Sequence, residues 1–99
     1  MDEVVLTLYC ASADREVITG LLGDATHAPV HVREEQVLGH DFGDAGTSER
    51  VRGSLKRIAF ELVVATSEAE ALVGRIETAR RNMPVRWRMV AVAARGRLV

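Results

Sequence analysis

The sequence predicts an α+β sandwich of the ferredoxin-like type, in the order βαββαβ, with a four-stranded antiparallel sheet and two helices on one face. Three observations carry this. Residues 4–10, 30–38, 56–65 and 85–93 have the two-residue period of strands. Two stripes of helical period follow the first and third of these segments. Right-handed crossovers then leave one economical topology. The chain of 99 residues fits a single domain, 1–99, able to bury a hydrophobic core without a metal or disulfide staple.

Residues 4–10 alternate Val4, Leu6, Leu8 and Cys10 against Val5, Thr7 and Tyr9, so both faces of the first strand are partly apolar. Ser12 is placed to cap a helix with Val17, Ile18, Leu21 and Leu22 on one face, ending near Gly23. Residues 30–38 mix Val30, Val32 and Leu38 with Arg33, Glu34, Glu35 and Gln36, the pattern of a more exposed strand. Residues 56–65 put Ile58, Phe60, Leu62 and Val64 on one side, as a central strand would. Ser67 and Glu70 have the spacing of a capping box, and Ala69, Leu72, Val73, Ile76 and Ala79 line the helix they open. Pro84 bounds that helix. In the last strand Val85, Trp87, Met89 and Ala91 alternate with Arg86, Arg88, Val90 and Val92, and Trp87 reads as a packing anchor.

The helices cover one face only. The other carries Val5, Tyr9, Ala59, Val63, Val90 and Val92, which predicts burial against further copies in a closed symmetric oligomer. Between the second and third strands lies a segment too long for a hairpin, residues 39–53, which holds four of the eight glycines. Segments of this length in compact domains are usually functional or disordered.

Composition narrows the function. The formal net charge of −1 gives no bulk attraction to nucleic acid. Base stacking by the sheet is excluded too, since Phe60 points to the core with no second aromatic beside it. The single cysteine, Cys10, has no internal disulfide partner and reads as a core thiol. Met1-Asp2-Glu3 is acidic where a signal peptide is basic, and no apolar run reaches the ~18 residues of a membrane span. The expectation is a cytoplasmic protein that is not membrane-inserted. His40-Asp41 and Ser48-Glu49 supply acid, base and hydroxyl types, but one loop does not fix them for catalysis, and no enzyme activity is expected. His27, His31 and His40 have no diagnostic metal spacing, and His40 is the best candidate ligand for a transition metal. Arg50, Arg52, Lys56 and Arg57, with Arg95 and Arg97, are candidates for an anion-binding patch.

The run Val37-Leu38-Gly39-His40-Asp41-Phe42-Gly43, then Val51-Arg52-Gly53 and the strand from Lys56, resembles the region around the T-loop of PII signalling proteins. Over its full length, with its closing Arg95-Gly96-Arg97, the chain is similar to a proteobacterial group of PII-like proteins often encoded beside heavy-metal efflux pumps. The resemblance implies a homotrimer that senses a small effector in the intersubunit cleft and presents the loop to a partner. That partner would be the cytoplasmic side of a metal efflux transporter or its regulator. It also implies a ligand site drawing on Gly39, His40, Arg52 and Gly53, to which Arg57 and Arg95 are added as anion-binding candidates. The effector it leaves open is a transition-metal ion or an anionic small molecule. PII proteins bind ATP or ADP with a glycine-rich segment between the second helix and fourth strand. Here Arg80-Arg81-Asn82-Met83-Pro84 holds no glycine, which argues against nucleotide binding of that type. The loop has no tyrosine, so uridylylation there is excluded. The alternative is a metal-binding accessory protein of a heavy-metal resistance system, with His40 as ligand.

Overall fold

A computed structural model describes residues 2–39 and 54–99. Strand β1 (Glu3–Cys10) leads through a 3-10 turn (Ser12–Asp14) into helix α1 (Arg15–Ala25). Strand β2 (His31–Leu38), strand β3 (Ser54–Ala65), helix α2 (Thr66–Thr78) and strand β4 (Arg86–Ala91) follow. The sheet order is β2-β3-β1-β4, every neighbouring pair antiparallel, as the predicted ferredoxin-like topology requires.

The core forms where the even-numbered residues of β1 and β3 meet the helices. Leu6, Leu8, Phe60 and Leu62 pack with Ile18 and Leu22 of α1 and with Ala69, Leu72 and Ile76 of α2. Each fully buried Leu, Ile or Phe contributes about 1.5–3 kcal/mol. Cys10 belongs to this core, as expected of an inert thiol.

The helix starts differ from expectation. Neither Ser12 nor the Ser67/Glu70 pair makes a capping bond. The first helix is preceded by the 3-10 turn, with Asp14 at its N-cap, and it runs on past Gly23 to Ala25. In α2 the entry is fixed by a tertiary bond: Thr66 N and Oγ1 both donate to the Asp2 carbonyl, at 3.0 and 3.3 Å. Trp87 departs as well. It sits on the helix side of the sheet, but β4 is an edge strand beside α2, and the residue is 51% exposed.

On the helix-free face the register places Val63, Val5 and Val90 side by side across β3, β1 and β4. Val5 and Val63 are half-buried and Val90 is 53% exposed, so the face keeps an apolar patch open. Next to it Thr7 lies between Glu61 and Arg88, and Arg88 stands over the Tyr9 ring at 5.9 Å. No helix among the described residues is long and apolar enough to cross a membrane.

Candidate functional site

The ladder between β2 and β3 ends at the Leu38 and Ser54 pair, so residues 39–53 leave and re-enter the sheet at one corner. Beside that corner, under the 3-10 turn, is a cavity of about 340 Å³ lined by Ser12, Glu34, Glu35, Gln36, Lys56, Arg57 and Ile58. The alternation of strands explains its mixed walls. Glu34, Gln36, Lys56 and Ile58 share the helix side, while Glu35 and Arg57 share the other.

Arg57 is 3% exposed. It donates from Nη1 to the Lys56 carbonyl at 2.7 Å. Glu35 accepts from Arg33 Nε at 2.7 Å, and Glu34 lies 3.7 Å from Arg15. The corner therefore offers guanidinium, ammonium, carboxylate, amide and hydroxyl groups around one polar cavity, a lining suited to a small charged molecule.

Two further groups flank it. Burial pushes the Cys10 thiol up to about 11, the Asp14 charge adds to this, and Arg57 and Arg15 oppose it. A thiol in that state carries little thiolate at neutral pH. Asp14, fully buried, accepts from Asn82 N at 2.7 Å, Asn82 Nδ2 at 2.9 Å and Met83 N at 3.0 Å. Burial raises its pKa, but these donors and the Arg81 charge outweigh that and hold the carboxyl below its ordinary value. Sequence reasoning missed Asp14 and the burial of Arg57. The partners of Asp14 are 68 and 69 residues away, and no local spacing announces them.

The six candidate binding residues do not all meet within one chain. Gly39, just beyond β2, and Arg57 lie at the corner. Arg95 sits at the opposite end of β1, where its Nε and Nη2 donate to Glu3 at 2.9 and 2.8 Å and hold that carboxyl below its ordinary range. His40, Arg52 and Gly53 lie outside the described residues, as do Asp41, Ser48, Glu49 and Arg50. Among the described residues no three His, Cys, Asp or Glu side chains group to hold a metal ion.

The profile described as "Protein of unknown function (DUF3240)" matches residues 1–99. The chain belongs to the DUF3240 family. The DUF3240 chain is similar to a crystal structure of a family protein from Shewanella baltica OS155, at 14% identity and a TM-score of 0.73, covering 98% of this chain and 97% of that one. It is also similar to the GlnK–ATP complex of B. subtilis, at 15% identity and a TM-score of 0.62 over 93% and 85% of the two chains. A protein of Thermus thermophilus described as PII-like and signaling matches at 15% identity and a TM-score of 0.61, over 93% and 88%. At these identities the likeness establishes a fold shared by the DUF3240 chain and PII-like proteins. A search of the curated proteins finds no match.

Proposed function

We propose that this DUF3240 chain is a PII-like signalling or adaptor protein, not an enzyme, that acts as a homotrimer. It senses a small effector where subunits meet, near the corner from which residues 39–53 leave the sheet, and it presents that segment to a protein partner. The observation that carries the reading is the shared fold with GlnK, solved with ATP, and with the PII-like signaling protein of Thermus thermophilus. The patch of half-buried Val5 and Val63 and exposed Val90 supports it, since burial between copies removes apolar surface from water. Effector binding at the corner alters which surface the segment offers, a recognised route from small ligand to partner. The effector is a transition-metal ion or an anionic small molecule held by the arginines of the corner. The partner, on the resemblance, is the cytoplasmic side of a heavy-metal efflux transporter or its regulator.

Native mass spectrometry tests this, on the protein alone and with zinc, copper, nickel, ATP, ADP or cyclic nucleotides at low micromolar concentration. A trimer that takes up an anionic ligand and loses it in Arg52→Ala or Arg57→Ala supports sensing of that class. A trimer with three metal ions, lost in His40→Ala, assigns the metal instead. A monomer at all concentrations overturns the proposal.

A further inference from the structure

Folding leaves the chain's only tryptophan half in water: Trp87, on the helix side of β4, is 51% exposed. Beside it a second cavity, of about 130 Å³, opens between α2 and β4 and shares no lining residue with the corner. Its floor is apolar, with Leu8 and Ile76 buried and Val73 and Val85 half-buried. A dry apolar cavity of about 150 Å³ accommodates benzene, so the space suits one branched or aryl side chain.

Two charges of opposite sign, Glu77 and Arg81, also line it. Among the described residues they form no ion pair with each other, and the Glu77 carboxylate accepts no hydrogen bond. Arg81 is already set in place. Its Nε donates to the Ile76 carbonyl at 3.0 Å and its Nη1 to the Met83 carbonyl at 3.2 Å, while Nη2 makes no hydrogen bond among the described residues. Met83 is held in turn, its amide donating to Asp14 Oδ2 at 3.0 Å. A guanidinium fixed before any ligand arrives lowers the ordering cost of binding.

We propose that this cavity binds a free amino acid with an apolar side chain. The side chain rests on Leu8, Val73 and Val85 and covers the Trp87 ring, which removes apolar surface from water. The carboxylate accepts from Arg81 Nη2, and the ammonium donates to Glu77, where the carbonyl end of α2 also favours positive charge. A ligand with a single charge leaves one of the two rim groups unmatched, whereas a zwitterion matches both. The site lies within one chain, so it depends neither on the number of subunits nor on the effector of the corner.

The single tryptophan makes the test direct, because its emission reports the cavity. L-Leucine, L-valine and L-phenylalanine are titrated against Trp87 fluorescence, and native mass spectrometry counts the bound ligand per chain. Isocaproate and isoamylamine carry the leucine side chain with only the carboxylate or only the ammonium. One leucine should bind per chain with a saturable change in emission, and each analogue should bind at least about tenfold more weakly, as the loss of a hydrogen bond between charged groups implies. Glu77→Gln should weaken leucine about tenfold and leave isocaproate unchanged, and Arg81→Gln should weaken leucine and leave isoamylamine unchanged. Far-UV circular dichroism checks both variants. Should Arg81→Gln fail to fold, Glu77→Gln still decides, since Glu77 is exposed. No saturable response to any of the three amino acids, an analogue that binds as tightly as leucine, or leucine affinity unchanged in Glu77→Gln would each overturn the proposal, whatever the oligomeric state.

Discussion

Asp14 Oδ1 accepts a hydrogen bond from the backbone of Asn82 at 2.7 Å, tying the entrance of α1 to the turn that precedes β4. Together with the bonds from Asn82 Nδ2 and Met83 N it forms a part-buried latch between segments 68 residues apart. Asp14→Ala removes the charged acceptor of all three bonds, whose donors lie on exposed Asn82 and half-buried Met83. A hydrogen bond to a charged group contributes about 1.5–3 kcal/mol and the freed donors can turn to water, so the variant should lose roughly 2–4 kcal/mol of unfolding free energy, read by urea denaturation. Protection of the Asn82 and Met83 amides from hydrogen exchange should fall with it.

The latch has a pH signature. The folded-state pKa of Asp14 is depressed below its value in the unfolded chain, which is about 3.9. Its stabilisation is therefore fully present above that unfolded value and is lost as pH falls through the folded one. The stability gap between the wild type and Asp14→Asn should be constant from pH 6 to 8 and shrink below pH 4. A gap that widens on acidification would contradict the assignment.

Much of the fold was legible because it rests on local periods. Ile58, Phe60, Leu62 and Val64 alternate as a buried strand must, and they are buried. What was not legible is long-range. The start of α2 depends on the Asp2 carbonyl bonded by Thr66, so the Ser67 and Glu70 spacing led to the wrong cap. Trp87 alternates with core residues, yet on an edge strand it stays half exposed. Arg57 alternates with Ala59 on the face opposite the helices, yet it is 3% exposed, and no local spacing announces that burial. Of the candidate site, Arg57 lines the corner cavity and Gly39 follows the end of β2, Arg95 stands at the far end of β1, and His40, Arg52 and Gly53 fall outside the described residues.

Cys10 gives a sharp kinetic test. Buried in the core with its pKa pushed up to about 11, it has almost no thiolate at neutral pH. A disulfide reagent at pH 7.5 should leave the native thiol unmodified for hours and react within seconds in 6 M guanidinium. Fast labelling of the native protein would show that the end of β1 opens.

The two sheet faces should respond to mutation in opposite ways. Phe60→Ala opens a cavity in the core and should cost about 3–5 kcal/mol by urea denaturation. Val90→Ser, on the exposed face, should change the stability of a single chain by no more than about 0.5 kcal/mol. Its effect should appear in association, as dissociation of the oligomer at higher protein concentration than the wild type requires.

The placement of β1 bears on how the chain is made. It lies between β3 and β4, so the strand synthesised first meets its inner neighbour only once residue 65 has been added and its outer neighbour only after residue 91. At translation rates of roughly 5–20 residues per second, that is a wait of several seconds or more for Val4, Leu6 and Leu8. During it an apolar segment of strong strand propensity has no native partner, the situation in which nascent chains pair wrongly with one another. The ribosome-bound chain should thus depend on chaperone shielding of its first ten residues until β3 emerges, whatever the stability of the finished fold.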